Sequence, residues 1–475
     1  MRKSLISLIL LVAMCVGLVT LTGCGTSAIA GDFEIPEEGF DTSKEVTITF
    51  YHTMGANLRE VLDVYIQKFN ELYPNIKVVH EQVGGYDDVR DQILTQITVG
   101  NQPNIAYCYP DHVALYNMAK ATTSLDNLIA SDLEITRADG TTEILGLTDA
   151  QIADFIKGFY DEGKQFGDDR MYTLPLSKST EVLYYNKTFF NEHGLTVPTT
   201  WDEMESVCAA IKAIDSDSIP LGYDSEANWF ITMCEQYGSD YTSATGDHFL
   251  FDNETNREFV AKFRTWYQNG YVTTKELSGG YTSELFTKAE SEVGNSYMSI
   301  GSSGGATHQR PDKVDGAYPF EVGVTTIPQI DASKPKAISQ GPSLCIFKKA
   351  DPQEVLASWL FVKFLTTNVE FQAEFSIESG YVPVIKSVGE NEIYKSEFLD
   401  KADGGDFITA LSAKVCLEQE AAYYTSPAFN GSSTARDQVG LLMQKALSAN
   451  VDGDATAAIK EAFEAAVSEC EYQAG

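Results

Sequence analysis

The order of strand and helix patterns between residues 46 and 109 constrains the fold more than any other feature of the sequence. The segments "VTITFYHTMG" (46–55), "IKVVHEQV" (76–83) and "NIAYCY" (104–109) have the β-branched and aromatic composition of strands. Apolar residues at helical spacing separate them, first Leu58, Leu62, Tyr65, Ile66, Phe69 and Leu72, then Val89, Ile93 and Ile97. Because parallel strands need a helical crossover, this order predicts a parallel α/β sheet.

A second α/β unit is predicted further along the chain. "MYTLPLS" (171–177), "STEVLYYNK" (179–187), "VGVTTIPQI" (322–330) and "PSLCIF" (342–347) are typical of strands. Thr200 and Glu203 form a capping box for one helix, and Asp351 followed by Pro352 begins another. About 450 residues are too many for one compact core, so we expect two lobes.

The N-terminus has the pattern of a bacterial lipoprotein export signal. Arg2 and Lys3 precede an apolar run that reaches Leu21, and Leu21-Thr22-Gly23-Cys24 has the form of a lipobox. We therefore expect residues 1–23 to be a signal peptide, Cys24 to carry lipid, and residues 24–44 to be a flexible tether. This predicts a protein held at the outer face of the cytoplasmic membrane. The alternative is an ordinary signal peptide or anchor with a chance cysteine.

The net charge limits the possible partners, and the cysteine spacing limits the possible disulfide and metal sites. The chain has 34 basic and 68 acidic residues, a net charge of −34, and loss of Arg2 and Lys3 with the signal would make it −36. Such an excess disfavours nucleic acid and anionic lipid surfaces as partners. The six cysteines after Cys24 lack metal-site spacing and are expected to be buried thiols rather than a disulfide or zinc framework: Cys108, Cys208, Cys234, Cys345, Cys416 and Cys470.

Motifs for catalysis match only superficially. "GSSGG" (301–305) fits a nucleophile elbow at Ser303, but the acid and histidine that a hydrolase needs do not follow in order. "GFYDEGKQ" (158–165) has the spacing of a phosphate loop with Gln165 in place of Ser or Thr and two acids inside it. The scattered histidines indicate no metal, and no cofactor is expected. A pair of carboxylates could still form in any fold this acidic, so a secreted glycoside hydrolase remains an alternative.

Aromatic residues provide the positive signal. The chain has 24 tyrosines and 4 tryptophans, and several stand beside glycines or in turns: Tyr86, Tyr109, Trp229, Tyr381, Tyr423 and Tyr424. Aromatic faces with nearby hydroxyls can hold sugars, by contact with C–H faces and by hydrogen bonds. Core packing is the alternative for each of these residues.

Several segments resemble one family, the extracellular solute-binding proteins (family 1) of ABC importers, which take up sugars and glycerol phosphate. The segment "LPLSKSTEVLYYNKTFFNEHGLTVPTTWDEM" (174–204) is the most similar, and "SYMSIGSSGG", "ADPQEVLASWLFVKFLTTNVEFQAEF" and "SGYVPVIKS" follow in the expected order. The resemblance implies a two-lobe α/β fold of the periplasmic-binding-protein kind, with a hinge and a ligand cleft between the lobes.

The resemblance also implies boundaries. Chain crossings are expected near residues 109–113, 320–328 and 366–378. Lobe 1 would then comprise residues 45–110 and 323–372, and lobe 2 residues 111–322 and 373–475, the last part ending in C-terminal helices.

Matched residue by residue to the glycerol-3-phosphate binders of that family, the ligand positions fall on Tyr86, Ser179, Ser302, Gly341 and Tyr381. Two positions depart from the family pattern. Asp111 is a shifted substitute for a glutamate, and the phosphate-binding arginine falls near Ala428, which leaves Arg436 as a candidate cation. Loss of a bidentate anion donor disfavours glycerol phosphate.

The sequence therefore predicts a lipid-anchored, non-enzymatic, monomeric protein that binds a sugar or oligosaccharide and delivers it to the permease of an ABC importer. Trp229 is included among its expected ligand contacts. A binder of glycerol-3-phosphate or a related glycerophospho compound is the alternative within the family.

Overall fold

The computed structural model describes residues 33–288, 295–404, 407–450 and 453–474. The predicted signal peptide and Cys24 lie outside these residues. Within the described ranges, every helix is too short or too polar to cross a membrane.

The described part of the chain is a mixture of helices and strands. In chain order the strands are β1 (Val46–His52), β2 (Ile76–Gln82), β3 (Ile105–Cys108), β4 (Glu134–Thr136), β5 (Thr142–Ile144), β6 (Thr173–Pro175), β7 (Ser179–Asn186), β8 (Leu221–Tyr223), β9 (Val272–Thr274), β10 (Met298–Ser302), β11 (Val322–Thr326), β12 (Ala337–Gln340), β13 (Ser343–Ile346) and β14 (Tyr423–Tyr424).

The α-helices are α1 (Ala56–Leu72), α2 (Tyr86–Ile97), α3 (Pro110–Met118), α4 (Asp126–Ile129), α5 (Asp149–Asp154), α6 (Lys157–Asp161), α7 (Lys187–His193), α8 (Trp201–Ile214), α9 (Glu226–Tyr237), α10 (Glu254–Gln268), α11 (Lys275–Ser278), α12 (Ser283–Thr287), α13 (Pro352–Thr367), α14 (Val369–Ser379), α15 (Ile408–Glu418), α16 (Ser432–Ser448) and α17 (Thr456–Ala474). Short 3₁₀ turns cover Glu162–Lys164, Ser303–Gln309, Lys386–Glu390, Leu399–Gly404 and Glu420–Ala422, and a π turn covers Tyr394–Phe398.

Lobe 1 is built on a five-stranded sheet of order β2-β1-β3-β13-β6. Strands β2 and β3 run parallel to β1, which confirms the predicted parallel unit, and β13 is antiparallel to both β3 and β6. The apolar spacing of α1 serves this sheet, since its buried residues are Leu62, Tyr65, Ile66 and Phe69. Helix α13 packs on the same sheet through a nearly continuous buried surface.

Lobe 2 is built on a sheet of order β14-β12-β7-β10-β8-β9, with β11 also paired to β7. The long strand β7 is antiparallel to β10, β11 and β12, and its first six residues are buried. Because β7 is antiparallel to β10 and β12, its beginning lies beside their ends. These strand ends lie together on the side of the sheet where the chain crosses to lobe 1.

The sheets place the passages between lobes elsewhere than expected. Strand β6 belongs to lobe 1 and β7 to lobe 2, so the first passage is at residues 176–178 rather than 109–113. The second is at residues 341–342, between β12 and β13, rather than at 320–328. Helix α14 packs on α1 and therefore belongs to lobe 1, whereas α15 packs on β7 and β11 and belongs to lobe 2. The third passage therefore lies between α14 and α15, beyond the expected residues 366–378. Sequence patterns locate strands, but the sheet that each strand joins depends on long-range pairing.

Residues 33–44 are docked on lobe 1, whereas a flexible tether was expected over residues 24–44. Phe40 is buried against Tyr73, with ring centroids 6.3 Å apart. The Asp41 amide donates to Gln353 Oε1 at 2.8 Å, and Lys44 pairs with Asp351 at 2.6 Å. A single buried aromatic side chain within an acidic segment has no periodicity, which is why the sequence pattern did not reveal it.

A buried ion pair joins the segments at the passages. Lys178 has no exposed surface, and its Nζ donates to Glu162 Oε2 at 2.6 Å, to the Gly341 carbonyl at 3.0 Å and to Ser343 Oγ at 3.0 Å. Its backbone also pairs with Val382, N to O at 3.1 Å and O to N at 2.6 Å. Burial raises the pKa of Glu162, although Lys178 opposes this shift. Lys178 therefore connects the first passage to the second and to the segment after α14.

We expect Lys178→Met to lower the free energy of unfolding by about 3–5 kcal/mol, because it leaves the Glu162 carboxyl buried without its partner. Urea titration monitored by tryptophan fluorescence measures this loss. The matched control is Lys395→Met, which breaks the exposed pair with Glu390 and should leave the stability nearly unchanged. Equal effects of the two substitutions would contradict a structural role for the buried pair.

Candidate functional site

A cavity of about 1070 Å³ opens at the edge of the lobe 2 sheet that faces lobe 1. We call it the main cleft. Glu181 at the start of β7, Ser302 at the end of β10 and Gln340 at the end of β12 line it, together with Asp224 after β8. Antiparallel pairing brings these positions together, since Ser302 lies opposite Glu181 and Gln340 lies opposite Ser179. Tyr381, which follows the lobe 1 helix α14, also lines the cleft.

A polar network occupies one wall of the main cleft. The Asn228 amide donates to Glu181 Oε1 at 2.9 Å and to Gln340 Oε1 at 3.0 Å, and the Tyr223 hydroxyl donates to Glu181 Oε2 at 2.6 Å. Arg436 Nη2 donates to Asn228 Oδ1. The guanidinium therefore reaches the cleft from α16, and its charge favours the ionised form of Glu181. A cation is thus present although Ala428 stands where the arginine was expected.

Burial affects two carboxyl groups of the main cleft, those of Glu181 and Asp224. Burial raises the pKa of Glu181 to about 7, despite the opposing hydrogen bonds from Tyr223 and Asn228. Burial also raises the pKa of Asp224, which accepts hydrogen bonds from the Thr282 amide and hydroxyl at 2.7 Å each. Oxygen acceptors of this kind can take hydrogen bonds from ligand hydroxyls.

Tyrosines gather where the strands of lobe 1 end. Tyr86 begins α2, Tyr107 lies in β3, and Tyr109 follows β3. The ring of Tyr86 lies 4.5 Å from that of Tyr109 and 6.4 Å from that of Tyr107, centroid to centroid. Burial raises the pKa of Tyr381, and a hydrogen bond with Tyr86 opposes the shift. The cluster thus carries an aromatic surface from lobe 1 to the main cleft through Tyr381.

The "GSSGG" loop touches this cluster and has no catalytic arrangement. A Cβ placed on Gly304 would lie 3.2 Å from Tyr381 Cζ, so the tyrosine ring packs directly on the loop of the other lobe. Ser303 is 1% exposed and its hydroxyl accepts from the Thr180 amide at 3.1 Å. Ser302 Oγ accepts from the Gly304 amide at 3.2 Å, which caps the following turn. The small residues allow the close approach of the two lobes.

The structure brings some of the expected ligand residues to the main cleft, namely Ser302, Tyr381 and Arg436. Tyr86 lies behind Tyr381 in the tyrosine cluster. Asp111 lies at the beginning of α3, where its carboxylate accepts a hydrogen bond from Ser433 of α16 and joins the two lobes.

The remaining expected residues, Ser179, Gly341 and Trp229, have positions that serve the fold. Ser179 is 4% exposed within β7, and Gly341 has φ of +99°, with a Cβ position only 2.6 Å from the Ser177 carbonyl. Only glycine fits such a passage. Trp229 was expected at the ligand, but the structure places it in the core of lobe 2, fully buried and with ring centroids 5.0 Å from Tyr223 and 4.2 Å from Phe263. Trp229 is buried because it belongs to the apolar residues of α9, which pack in the core.

Sequence reasoning missed Glu181, Asp224, Asn228 and Gln340. One signal was available, because Glu181 is a charged residue inside the otherwise apolar strand "STEVLYYNK". A charge on a buried strand is costly unless it is paired, so such a residue often has a function.

The six described cysteines are buried free thiols, as predicted.

Comparison with known proteins identifies the family. The sequence model of the family described as bacterial extracellular solute-binding protein matches residues 64–402. The chain belongs to this family. The sn-glycerol-3-phosphate-binding periplasmic protein UgpB of Salmonella typhimurium is 25% identical over 379 residues, which cover 76% of this chain and 80% of that protein. UgpB of Shigella flexneri is 25% identical over 378 residues, with the same coverage.

Solved structures share the two-lobe fold. The sugar-binding protein MalE of Xanthomonas citri matches with a TM-score of 0.69 at 18% identity, over 90% of this chain and 98% of that one. UgpB of Mycobacterium tuberculosis in complex with glycerophosphocholine matches with a TM-score of 0.67 at 16% identity, over 90% and 98%. The cyclic alpha-maltosyl-1,6-maltose binding protein of Arthrobacter globiformis matches with a TM-score of 0.67 at 18% identity, over 90% and 99%. The expected α/β fold with two lobes and a cleft is confirmed.

We expect the contribution of Glu181 to the stability of the protein to fall as pH rises from about 4.5 to about 7. In this window the folded protein keeps a proton that the unfolded chain has lost, so each pH unit favours unfolding. Glu181→Gln removes this contribution. The free energy of unfolding of wild type minus that of the variant should therefore drop by about 3 kcal/mol between pH 4 and pH 8. Urea titrations at each pH measure it, with the exposed Glu418→Gln as control; a pH-independent difference for Glu181→Gln would contradict the assignment.

Proposed function

We propose that this protein is a lipid-anchored extracellular binding protein that captures a neutral sugar or oligosaccharide and delivers it to the permease of an ABC importer. Membership of the solute-binding family supports the general role. The single observation that carries the carbohydrate assignment is the composition of the main cleft. The buried carboxyl group of Glu181, the half-buried carboxyl group of Asp224 and the half-buried amide of Gln340 lie there together with the aromatic ring of Tyr381. This combination suits a ligand with many hydroxyl groups and apolar C–H faces.

The charges of the main cleft support a neutral ligand. Arg436 faces the carboxylate of Glu181 and the amide oxygen of Asn228, so its positive charge already has partners in the protein. An anionic ligand would need to compete with Glu181 for Arg436 and would also approach the carboxyl group of Asp224.

The protein would act as a monomer, without a cofactor and without binding nucleic acid.

Glycerol-3-phosphate or a related glycerophospho compound is the second candidate ligand. Arg310, Lys288 and His308 also line the main cleft and could neutralise a phosphate. The relatives named UgpB bind glycerol-3-phosphate according to their names.

A glycoside hydrolase is the third candidate, because Glu181 and Asp224 line one cavity and both have raised pKa values. Release of reducing ends from a glycan panel would support the hydrolase, and binding without turnover would exclude it.

A thermal-shift screen tests the proposed ligand class. We expect neutral mono- or oligosaccharides to raise the melting temperature of the chain from residue 24 onward carrying Cys24→Ser. At 100 times its dissociation constant a ligand stabilises the folded state by about 2.7 kcal/mol, which corresponds to about 3 °C for a chain of this size. A shift with glycerol-3-phosphate alone would instead support the second candidate.

Tyr381→Ala should weaken binding of the sugar identified in that screen by about tenfold or more, since it removes the aromatic face at the cleft, and tenfold corresponds to about 1.4 kcal/mol. Isothermal titration calorimetry measures the change. Tyr472→Ala, at a residue that is 82% exposed, is the control. Unchanged affinity in Tyr381→Ala would remove Tyr381 from the site.

Cys24→Ala tests the lipid anchor. In a bacterial host we expect the wild-type chain to fractionate with membranes and to incorporate labelled palmitate, because the cysteine after Gly23 would receive lipid. The variant should lose the label. Cys15→Ala alters the other N-terminal cysteine and should leave both properties unchanged. Labelling of Cys24→Ala would contradict the assignment.

A further inference from the structure

A second cavity of about 230 Å³ lies behind the wall of the main cleft. We call it the inner compartment. Lobe 1 contributes Asp111 and Glu162, lobe 2 contributes Tyr241 and Ser339, and the segment before α16 contributes Thr425 and Ala428. Its volume is many times the ~10–15 Å³ that a single water needs, so it can admit a group of several heavy atoms.

The inner compartment and the main cleft have two lining residues in common. Gln340 and Arg436 line both cavities. Both side chains are bound to the same amide, Asn228, at the boundary between the two cavities. A change of rotamer at Arg436 would be enough to join the two spaces.

Three hydroxyl groups of the inner compartment have no partner. The oxygens of Tyr241, Ser339 and Thr425 are buried and make no hydrogen bond to any described residue. Tyr241 is 8% exposed and Ser339 is 5% exposed. Buried polar groups are normally satisfied, and an unsatisfied one costs free energy. Three such groups around one cavity leave hydrogen-bonding capacity that a polar group of a ligand can use.

The charges around the compartment determine which ligand group suits it. Glu162 is paired with Lys178, and Asp111 accepts from Ser433, so both carboxylates remain as negative or acceptor groups at the wall. Lys178 offsets the charge of Glu162, and Asp111 and Arg436 carry opposite charges, so the lining has no net charge that would favour an ion. A neutral group that can donate as well as accept hydrogen bonds matches the carboxylates and the three hydroxyls.

We propose that the bound ligand reaches past Arg436 and Gln340 and places one neutral hydroxyl-bearing unit, a sugar ring or its arm, in the inner compartment. This inference rests on the proposed function, since it assigns a subsite to the same carbohydrate. The compartment then selects for a neutral end group, while the main cleft holds the rest of the ligand.

Two substitutions test the subsite with the chain from residue 24 onward carrying Cys24→Ser. Tyr241→Phe removes one unpartnered hydroxyl and no hydrogen bond within the described protein, so the fold should be unaffected. Ala428→Leu fills the space with an apolar group and keeps the backbone bond from the Ala428 amide to the Gln165 carbonyl, 2.7 Å in length. The control is Tyr394→Phe, which removes another buried, unpartnered hydroxyl in a region that lines neither cavity.

The affinities are measured by calorimetry against a panel of neutral mono- and oligosaccharides that includes glucose, maltose and maltotriose, with glycerol-3-phosphate as the anionic probe. We expect Tyr241→Phe and Ala428→Leu each to weaken binding of the best neutral sugar about tenfold or more. Tyr394→Phe should stay within twofold of wild type, and thermal unfolding verifies that all variants fold.

The possible failures are distinguishable. If the wild type binds none of the neutral sugars, the proposed function is wrong and the subsite with it. If the wild type binds a sugar and Tyr241→Phe binds it equally well, the compartment holds water only and the subsite is wrong while the function stands. A loss of affinity in Tyr394→Phe equal to that in Tyr241→Phe would also overturn the subsite, because the effect would not be local.

Discussion

The buried ammonium group of Lys178 is the constraint on which the arrangement of the lobes depends. A charge without exposed surface must be paired, and its three acceptors come from Glu162, the Gly341 carbonyl and Ser343. These groups lie in different parts of the chain, so their pairing holds the first two passages together. The backbone bonds to Val382 add the segment after α14. Glu181, Gln340 and Tyr381 each lie within a few residues of this junction, and the ion pair therefore also positions the ligand site.

The lobes also touch beyond the junction. Tyr381 packs on Gly304, and Asp111 accepts from Ser433, so lobe 1 and lobe 2 share both an aromatic and a polar contact. Such contacts exist only when the lobes are close, and they add to the stability of that arrangement in the absence of ligand. The apparent affinity for a ligand depends on how often the protein adopts its binding-competent arrangement. Residues at the interface can thus alter affinity without touching the ligand.

A protein with a net charge of −34 can still present a mixed local field. At the wall of the main cleft, the Arg436 guanidinium faces Glu181 and the amide of Asn228, and burial holds Glu181 at a pKa of about 7. The site therefore contains opposed charges in a shielded environment, where hydrogen bonds are strong and an unpaired ligand charge is costly. This local arrangement of charges, more than the overall acidity, determines how the site responds to a charged ligand.

Local patterns in the sequence were enough to predict individual helices and strands and the class of the protein. The periods of apolar residues predicted β1 to β3, α1, β7 and the capped helices α8 and α13, because period and capping are local properties. The motifs around "STEVLYYNK" indicated the family and thereby the two-lobe fold. Three features follow from the folded structure and not from local patterns: β6 and β13 join the first sheet, residues 33–44 dock on lobe 1, and Trp229 lies in the core. The folded structure also decided that Arg436 reaches the cleft beside Glu181, Asn228 and Gln340. These outcomes depend on side-chain packing, on strand pairing and on the pairing of buried charges in the folded protein, and none of these leaves a periodic signal in the chain.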